Sequence, residues 1–181
     1  MGAVKTLLTW EDFEKLPSKP GKQELVNGEL IELPPADDEH GEISERLFLL
    51  FREILASLNA RGEARDLGLA HHERGYKLGP QSWLIPDVSI TRAEQRRVGK
   101  YLDGAPALAV EVLSESNTVS EITAKIFELF AKGCREVWVI DRDRRSIGIY
   151  KPDWTTQSLT GRFTSDLLPG FEIDLEEILG Q

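Results

Sequence analysis

The sequence predicts a mixed α/β fold, a mixed β-sheet flanked by helices, and three observations carry that prediction. Asn27-Gly28 stands between the alternating runs QELV and ELIEL. That dipeptide accepts the positive φ values of a tight turn, so the segment reads as a β-hairpin. Ile43, Leu47, Leu50, Phe51, Ile54, Leu55 and Leu58 recur at spacings of three and four, the apolar stripe of a long helix over Glu42–Asn59. ALAVEVL (Ala107–Leu113) and EVWVID are nearly unbroken apolar runs on either side of a second amphipathic stretch. Strands buried on both faces look like this. The order of helix, hairpin and strands, then strand–helix–strand, argues against a doubly wound nucleotide-binding fold.

From the N-terminus, Thr9 and Asp12 have the spacing of a capping box and start a short helix over Trp10–Leu16, which Pro17 ends. The hairpin follows, closed by Pro34-Pro35, and then the long helix, stopped near Gly62. Strand-like runs cover Glu63–Leu67, Glu73–Leu78 and Trp83–Ile90, and the Arg-rich region to Gly104 reads as a loop or short helix. After the Ala107–Leu113 strand, Ile122, Ile126, Leu129 and Phe130 form the inner face of a helix over Ser120–Lys132, with Gly133 as its stop. EVWVID is the next buried strand. RDRR turns the chain into a strand at Ser146–Lys151, and a strand near Thr155–Leu159, an LPG turn and a short helix complete it. No internal repeat, low-complexity tract or linker is visible, so residues 1–181 are expected to form a single domain.

Composition narrows the class. Hydrophobic residues make up 40% of the 181 and charged residues 29%, the balance of a folded globular chain. No apolar run approaches the roughly 20 residues needed to cross a bilayer. MGAVKTLLTW lacks the basic, apolar and small-residue regions of a secretory leader, so cytoplasm is the expected address. Cys134 is the only cysteine, which excludes an intramolecular disulfide and a cysteine metal cluster. The net charge of −9 opposes nucleic-acid binding unless basic residues cluster. Two clusters exist, Arg92, Arg96, Arg97 and Lys100, and then Arg142, Arg144 and Arg145. Each is either a phosphate-facing patch or an ordinary solvated loop.

Glu111 stands alone among apolar neighbours in ALAVEVL, and Asp87 poses the same problem in WLIPDVSI. A buried carboxylate has to be protonated, paired with a cation or bound to a metal. Two readings are open: one divalent ion shared by both acids, Mg²⁺ or Mn²⁺ by the hardness of the oxygens, or two separate structural ion pairs. Pro86, which cannot donate to a ladder, favours a strand end or irregularity beside Asp87. Lys125 forms an i,i+4 pair with Glu121, as Lys132 does with Glu128, which is the pattern of a solvated helix face. It also lies on the helix that returns over the end of the Glu111 strand. His40, ahead of the long helix, and Glu24, in the hairpin, could reach the same place as accessory groups. His71 and His72 are adjacent and point to opposite sides of a strand. Asp141 reads as a turn former, and Ser114 and Ser116 as loop residues. No Walker loop, G-x-G-x-x-G, H-E-x-x-H or G-x-S-x-G occurs.

Taken in order, TWEDF, ELVNGEL, the PD of WLIPDVSI, EVLS, KIFELFAKGCREVWVID and LLPGFEIDL resemble the "putative restriction endonuclease" family of the PD-(D/E)XK nuclease superfamily. The likeness runs through nearly the whole chain and implies a restriction-endonuclease-like core. The superfamily name implies a lysine two positions after the acidic residue, where this chain has Leu113. Members of this family supply the lysine from the following helix, and Lys125 stands in that place. Three departures are mild: Glu121 for an aspartate, Ser114-Glu115-Ser116 for SPS, and Leu129 for an aromatic.

Carried over, the resemblance implies Mg²⁺, or Mn²⁺, held by Asp87, Glu111 and the main-chain carbonyl of Val112. Lys125 would orient or deprotonate the attacking water, and His40 and Glu24 match recurring positions. The expected activity is metal-dependent endonucleolytic hydrolysis of DNA. A nuclease-fold module that binds nucleic acid or protein without cutting is the alternative, and a purely structural, ion-paired domain is a third reading. Cutting both strands of a duplex would need two sites, so a homodimer is the expected assembly; no membrane association is expected.

Overall fold

Asn27 and Gly28 both take positive φ, 51° and 81°, and close the predicted hairpin. The computed structural model describes residues 7–180; MGAVKT, on which the expectation of no secretory leader partly rests, lies outside them. In chain order the elements are α1 (Trp10–Phe13), β1 (Lys22–Val26), β2 (Glu29–Leu33), α2 (Asp38–Ala60), β3 (Leu67–His72), β4 (Tyr76–Gly79), β5 (Ser82–Leu84) and β6 (Val88–Arg92). Then come β7 (Arg97–Val98), β8 (Tyr101–Asp103), β9 (Leu108–Val112), α3 (Val119–Ala131), β10 (Glu136–Asp141), β11 (Ser146–Tyr150), β12 (Thr156–Leu159), β13 (Arg162–Thr164), β14 (Glu172–Asp174) and α4 (Leu175–Leu179).

The strands form two six-stranded mixed sheets, ordered β2-β1-β5-β4-β8-β7 and β12-β11-β10-β9-β6-β3, with β13 and β14 as a separate pair. β9, α3 and β10 form the predicted strand–helix–strand unit, with Glu136 opposite Leu108 and Ile140 opposite Val112 in parallel register. Alternation along β9 divides the core. Leu108, Val110 and Val112 join the cluster built on α2 by Ile43, Leu47, Phe51, Ile54 and Leu58. Ala109 faces the other way, into the cluster of Ile122, Ile126 and Leu129 from α3 with Tyr76, Leu84 and Leu102 from the first sheet. The second sheet therefore lies between α2 on one face and α3 with the first sheet on the other. Among the described residues no helix is long and apolar enough to cross a membrane.

The structure corrects the sequence reading in several places: α1 ends at Phe13 and not Leu16, β4 begins at Tyr76 and not Glu73, and β13 and β14 add a strand pair the sequence did not suggest. Residues 63–66 are not strand, because the chain there is still ending the long helix. Gly62 has φ 69° and the Glu63 N–H returns to the Leu58 carbonyl at 2.8 Å, a Schellman closure, so β3 starts only at Leu67. The expected strand Trp83–Ile90 is two strands in different sheets, interrupted around Pro86. The Arg-rich region holds the short strands β7 and β8, and β8 pairs with β4 in parallel. Finally, α2 begins at Asp38 with Asp37 as N-cap, its side chain accepting from His40 N–H at 2.8 Å. His40 thus lies in the first turn and not ahead of the helix.

Trp138 joins the layers. It is fully buried on β10, edge-on to Phe51 of α2 at 5.4 Å and to Phe163 of β13 at 5.3 Å. Its Nε1–H donates to Glu136 Oε2 at 3.0 Å, and Ser165 Oγ donates to the same oxygen at 2.7 Å. Trp138→Ala should cost about 3–5 kcal/mol through the cavity and the lost donor. Urea unfolding measures this, and a loss below about 1 kcal/mol would mean that Trp138 does not tie the layers together.

Candidate functional site

Five side chains singled out in the sequence come together where the two sheets meet. Period-two alternation on β9 turns Glu111 to the same side as Ala109, toward α3 and the first sheet. Helical spacing places Lys125 beside Ile122, Ile126 and Leu129 on the inner face of α3. The solvated reading of Lys125 is therefore overturned. Its predicted partner Glu121 instead completes the Thr118 capping box, accepting from Thr118 N–H at 3.0 Å. Lys125 Nζ lies 3.0 Å from Glu111 Oε2 and 2.6 Å from Glu24 Oε2 of β1.

Asp87 reaches the site through the interruption between β5 and β6. Ile85 N–H donates to Glu24 Oε1 at 2.7 Å, bonding a side chain where a continuous strand would bond its neighbour. The next residue, Pro86, has no N–H to give. Asp87 Oδ2 accepts from Val112 N–H at 2.7 Å and contacts His40 Nε2 at 3.2 Å. Oδ1 carries the ammonium of Lys22, which also pairs with Glu73 Oε1 at 3.2 Å. Exposures of 0% for Glu24, 1% for Lys125, 4% for Asp87 and 5% for Glu111 make this a buried charge cluster. Charges so far from water have to compensate one another.

Sequence reasoning missed Lys22. Its only local signal is a charge at the start of an amphipathic hairpin strand, where lysine is common on solvated surfaces. The separation of 65 positions from Asp87 conceals the pairing.

The charges do not balance. Three carboxylates (Glu24, Asp87 and Glu111) face two ammonium groups (Lys22 and Lys125), leaving one excess negative charge when His40 is neutral. Titration reflects this. Burial, reinforced by Glu24 and Asp87, raises Glu111 to about 7 against the opposing pull of Lys125. Burial also acts to raise Asp87, but the His40 hydrogen bond and the charge of Lys22 outweigh it and hold Asp87 well below the usual carboxylate range. Desolvation would lower Lys125, yet Glu111 and Glu24 keep it above its ordinary value as an ammonium. His40 is raised against its own desolvation, chiefly by Asp87.

Above the cluster opens a cleft of about 390 Å³ lined by Lys22, His40, Asp87, Glu111, Val112 and Arg142 among others. Lys125 and Glu24 lie beneath its floor. Glu111 Oε1 is buried without a hydrogen-bond partner, an acceptor that a cation could satisfy. Among the described residues no three His, Cys, Asp or Glu side chains form a complete metal-ligand group. Mg²⁺ does not require one, since it is commonly held by one or two carboxylates with water and phosphate oxygens filling the rest. Asp87, Glu111 and the Val112 carbonyl fit that donor set.

Other candidates fall outside the cluster. Arg142 lines the cleft and forks onto both Asp37 oxygens at 2.6 and 2.7 Å. Arg144 and Arg145 pair with Asp141 and Glu176 instead. Arg92 and Arg96 line a separate cleft, and Arg92 closes the end of β6 away from Asp87. Asp141 accepts from Arg144 N–H at 2.9 Å as a turn former. Ser114 and Ser116 lie in the loop at the cleft wall, their hydroxyls 2.9 Å apart. Cys134 is buried, and burial pushes its thiol up to about 12, far from a reactive thiolate.

The family comparison matches residues 10–176 to Uma2, described as "Putative restriction endonuclease". Comparison with solved structures finds the crystal structure of a putative nuclease belonging to DUF820 from Anabaena variabilis ATCC 29413. Its TM-score is 0.77 at 19% identity, over 95% of this chain and 97% of that chain. At that identity the likeness concerns the fold. Comparison with curated proteins finds no match.

Among the raised groups, Glu111 and His40 set the pH dependence of the metal-free protein between about pH 5 and pH 8. Folded Glu111 retains a proton between about 4.5 and 7 that the unfolded chain has released. Its contribution to stability is therefore complete below 4.5 and lost as the pH rises to about 7. His40 acts in the same direction, with stability present below 6.5 and lost as pH rises through its folded value. Glu111→Gln should flatten the fall in Tm between pH 5 and pH 8 by several degrees relative to wild type. Thermal melts in chelator measure this. Parallel curves for the two proteins would exclude Glu111 as the titrating group.

Proposed function

The chain belongs to the Uma2 family of putative restriction endonucleases, and on that premise we propose that it is a divalent-metal-dependent nuclease that hydrolyses DNA phosphodiester bonds. One observation carries the reading. A solvent-reachable cleft ends on two buried carboxylates, Asp87 and Glu111, and one oxygen of Glu111 has no partner within the protein. Purely structural ion pairs would be expected to satisfy that oxygen.

In this reading Asp87, Glu111 and the Val112 carbonyl would hold Mg²⁺ or Mn²⁺, which supplies Lewis-acid charge neutralisation at a phosphate. The protein's own groups do the positioning. Val112 N–H and His40 fix one oxygen of Asp87, so the carboxylate presents the other to the cleft. Lys125 acts through Glu111. Its raised pKa keeps it an ammonium, suited to orienting the carboxylate and stabilising negative charge and unsuited to removing a proton from water. Glu24 anchors Lys125 from below and the β5–β6 interruption from the side through Ile85 N–H. Arg142, at the rim, is the nearest cation of the basic clusters to an incoming phosphate. A homodimer would let two such sites address two strands.

The test compares wild type with an Asp87→Ala, Glu111→Ala double variant. Calorimetry measures Mg²⁺ and Mn²⁺ binding, and supercoiled plasmid and single-stranded DNA serve as substrates. Metal binding and cleavage should both disappear in the variant, with cleavage reduced at least about a hundredfold. Lys125→Met should lower cleavage about as severely while both proteins remain folded by circular dichroism. Absence of metal binding by the wild type at millimolar concentration would overturn the proposal and leave the cluster as a structural ion-pair network.

A further inference from the structure

We infer that Lys22 occupies, in the metal-free protein, the position on Asp87 that a divalent cation takes, and that the cation enters by displacing Lys22 onto Glu73. The inference rests on the metal-site reading above and adds to it a residue and an order of events.

The four oxygens of the two acids are not equivalent. Asp87 Oδ2 is committed, accepting from Val112 N–H at 2.7 Å and lying 3.2 Å from His40 Nε2. Glu111 Oε2 is committed to Lys125 at 3.0 Å. An ion shared by the two acids is left with Asp87 Oδ1 and Glu111 Oε1. The second of these has no partner, and the first carries the Lys22 ammonium. An ammonium and a divalent cation on one carboxylate oxygen repel, and the buried floor of the cleft screens that repulsion poorly. Binding of the ion therefore requires Lys22 to leave Oδ1.

Lys22 has another place to go. Glu73 Oε1 already lies 3.2 Å from its Nζ, and the Glu73 side chain is 44% exposed against 5% for Asp87. Glu73 is held beside the site by its own backbone, whose N–H donates to the Asp87 carbonyl at 3.0 Å. Movement of Nζ from one carboxylate to the other needs only side-chain rotation at the start of β1. The lysine would remain at the cleft wall as a cation facing the phosphate and would not be lost to solvent. Lys22 is thus a positioning residue. It balances Asp87 before the ion arrives and sets the threshold for its entry.

The experiment is Mn²⁺ titration by calorimetry on wild type, Lys22→Gln, Lys22→Arg and Glu73→Gln, each checked by circular dichroism. Removing the competing charge should tighten Mn²⁺ binding by Lys22→Gln on the order of tenfold. Lys22→Arg should stay close to wild type. Glu73→Gln, which takes away the alternative seat, should bind more weakly. A residue serving only to hold the fold would not tighten metal binding when removed. Wild-type binding with unchanged or weaker affinity in Lys22→Gln overturns this inference and leaves the metal-site reading standing. Absence of Mn²⁺ binding by every protein in the series overturns both.

Discussion

Three buried carboxylates held by the buried Lys125 and the partly buried Lys22 are the constraint around which this molecule is organised. None of Glu24, Asp87 and Glu111 could be left alone in the interior, because an uncompensated charge there costs several kcal/mol. The partners are drawn from distant parts of the chain: Lys22 and Glu24 from β1, His40 from α2, Asp87 from the β5–β6 interruption, Glu111 from β9 and Lys125 from α3. The cluster thus links both large sheets and both long helices. Apolar packing gives the layers their cohesion, and the charges select which strand ends must meet.

The interruption at Pro86 shows how fold and site share one cause. A continuous strand from Trp83 to Ile90 would have stayed in one sheet. The missing proline N–H and the capture of Ile85 N–H by Glu24 let β5 remain in the first sheet while β6 joins the second. Asp87 is carried into the junction by that change of partner. The same crossing of layers leaves the cleft, which opens along the line where the sheets part.

The electrostatics of the surface follow from an acidic composition. All three residues of the second basic cluster are already paired: Arg142 with Asp37 and Glu39, Arg144 with Asp141, Arg145 with Glu176. A polyanion approaching the cleft meets Lys22 and Arg142 at its wall, with the carboxylates at its floor. A cation on those carboxylates would reverse the sign of the floor. In the proposed activity, metal loading and substrate binding are therefore coupled through charge alone.

Much of this was legible in the sequence because local chemistry dictates it. Asn27-Gly28 had to turn, since positive φ is cheap for those residues. Thr9 with Asp12 marked a helix start, and the apolar stripe from Ile43 to Leu58 had to face a core. Glu111 and Asp87 stood out because a lone acid in an apolar strand breaks the local pattern. Position along the chain offered Lys125, His40 and Glu24 as companions, and the resemblance gave Lys125 its role. Tertiary structure alone decided the rest. Spacing from Ile122 and Leu129 turns Lys125 toward the inner face of α3, but only the approach of β9 with Glu111 and β1 with Glu24 gives a buried ammonium its partners. Lys22 carries no local anomaly, and its partner stands 65 positions away. The change of sheet at Pro86 likewise depended on what lay alongside. Backbone sterics and periodicity are properties of neighbours in sequence, whereas the compensation of buried charge is settled by neighbours in space.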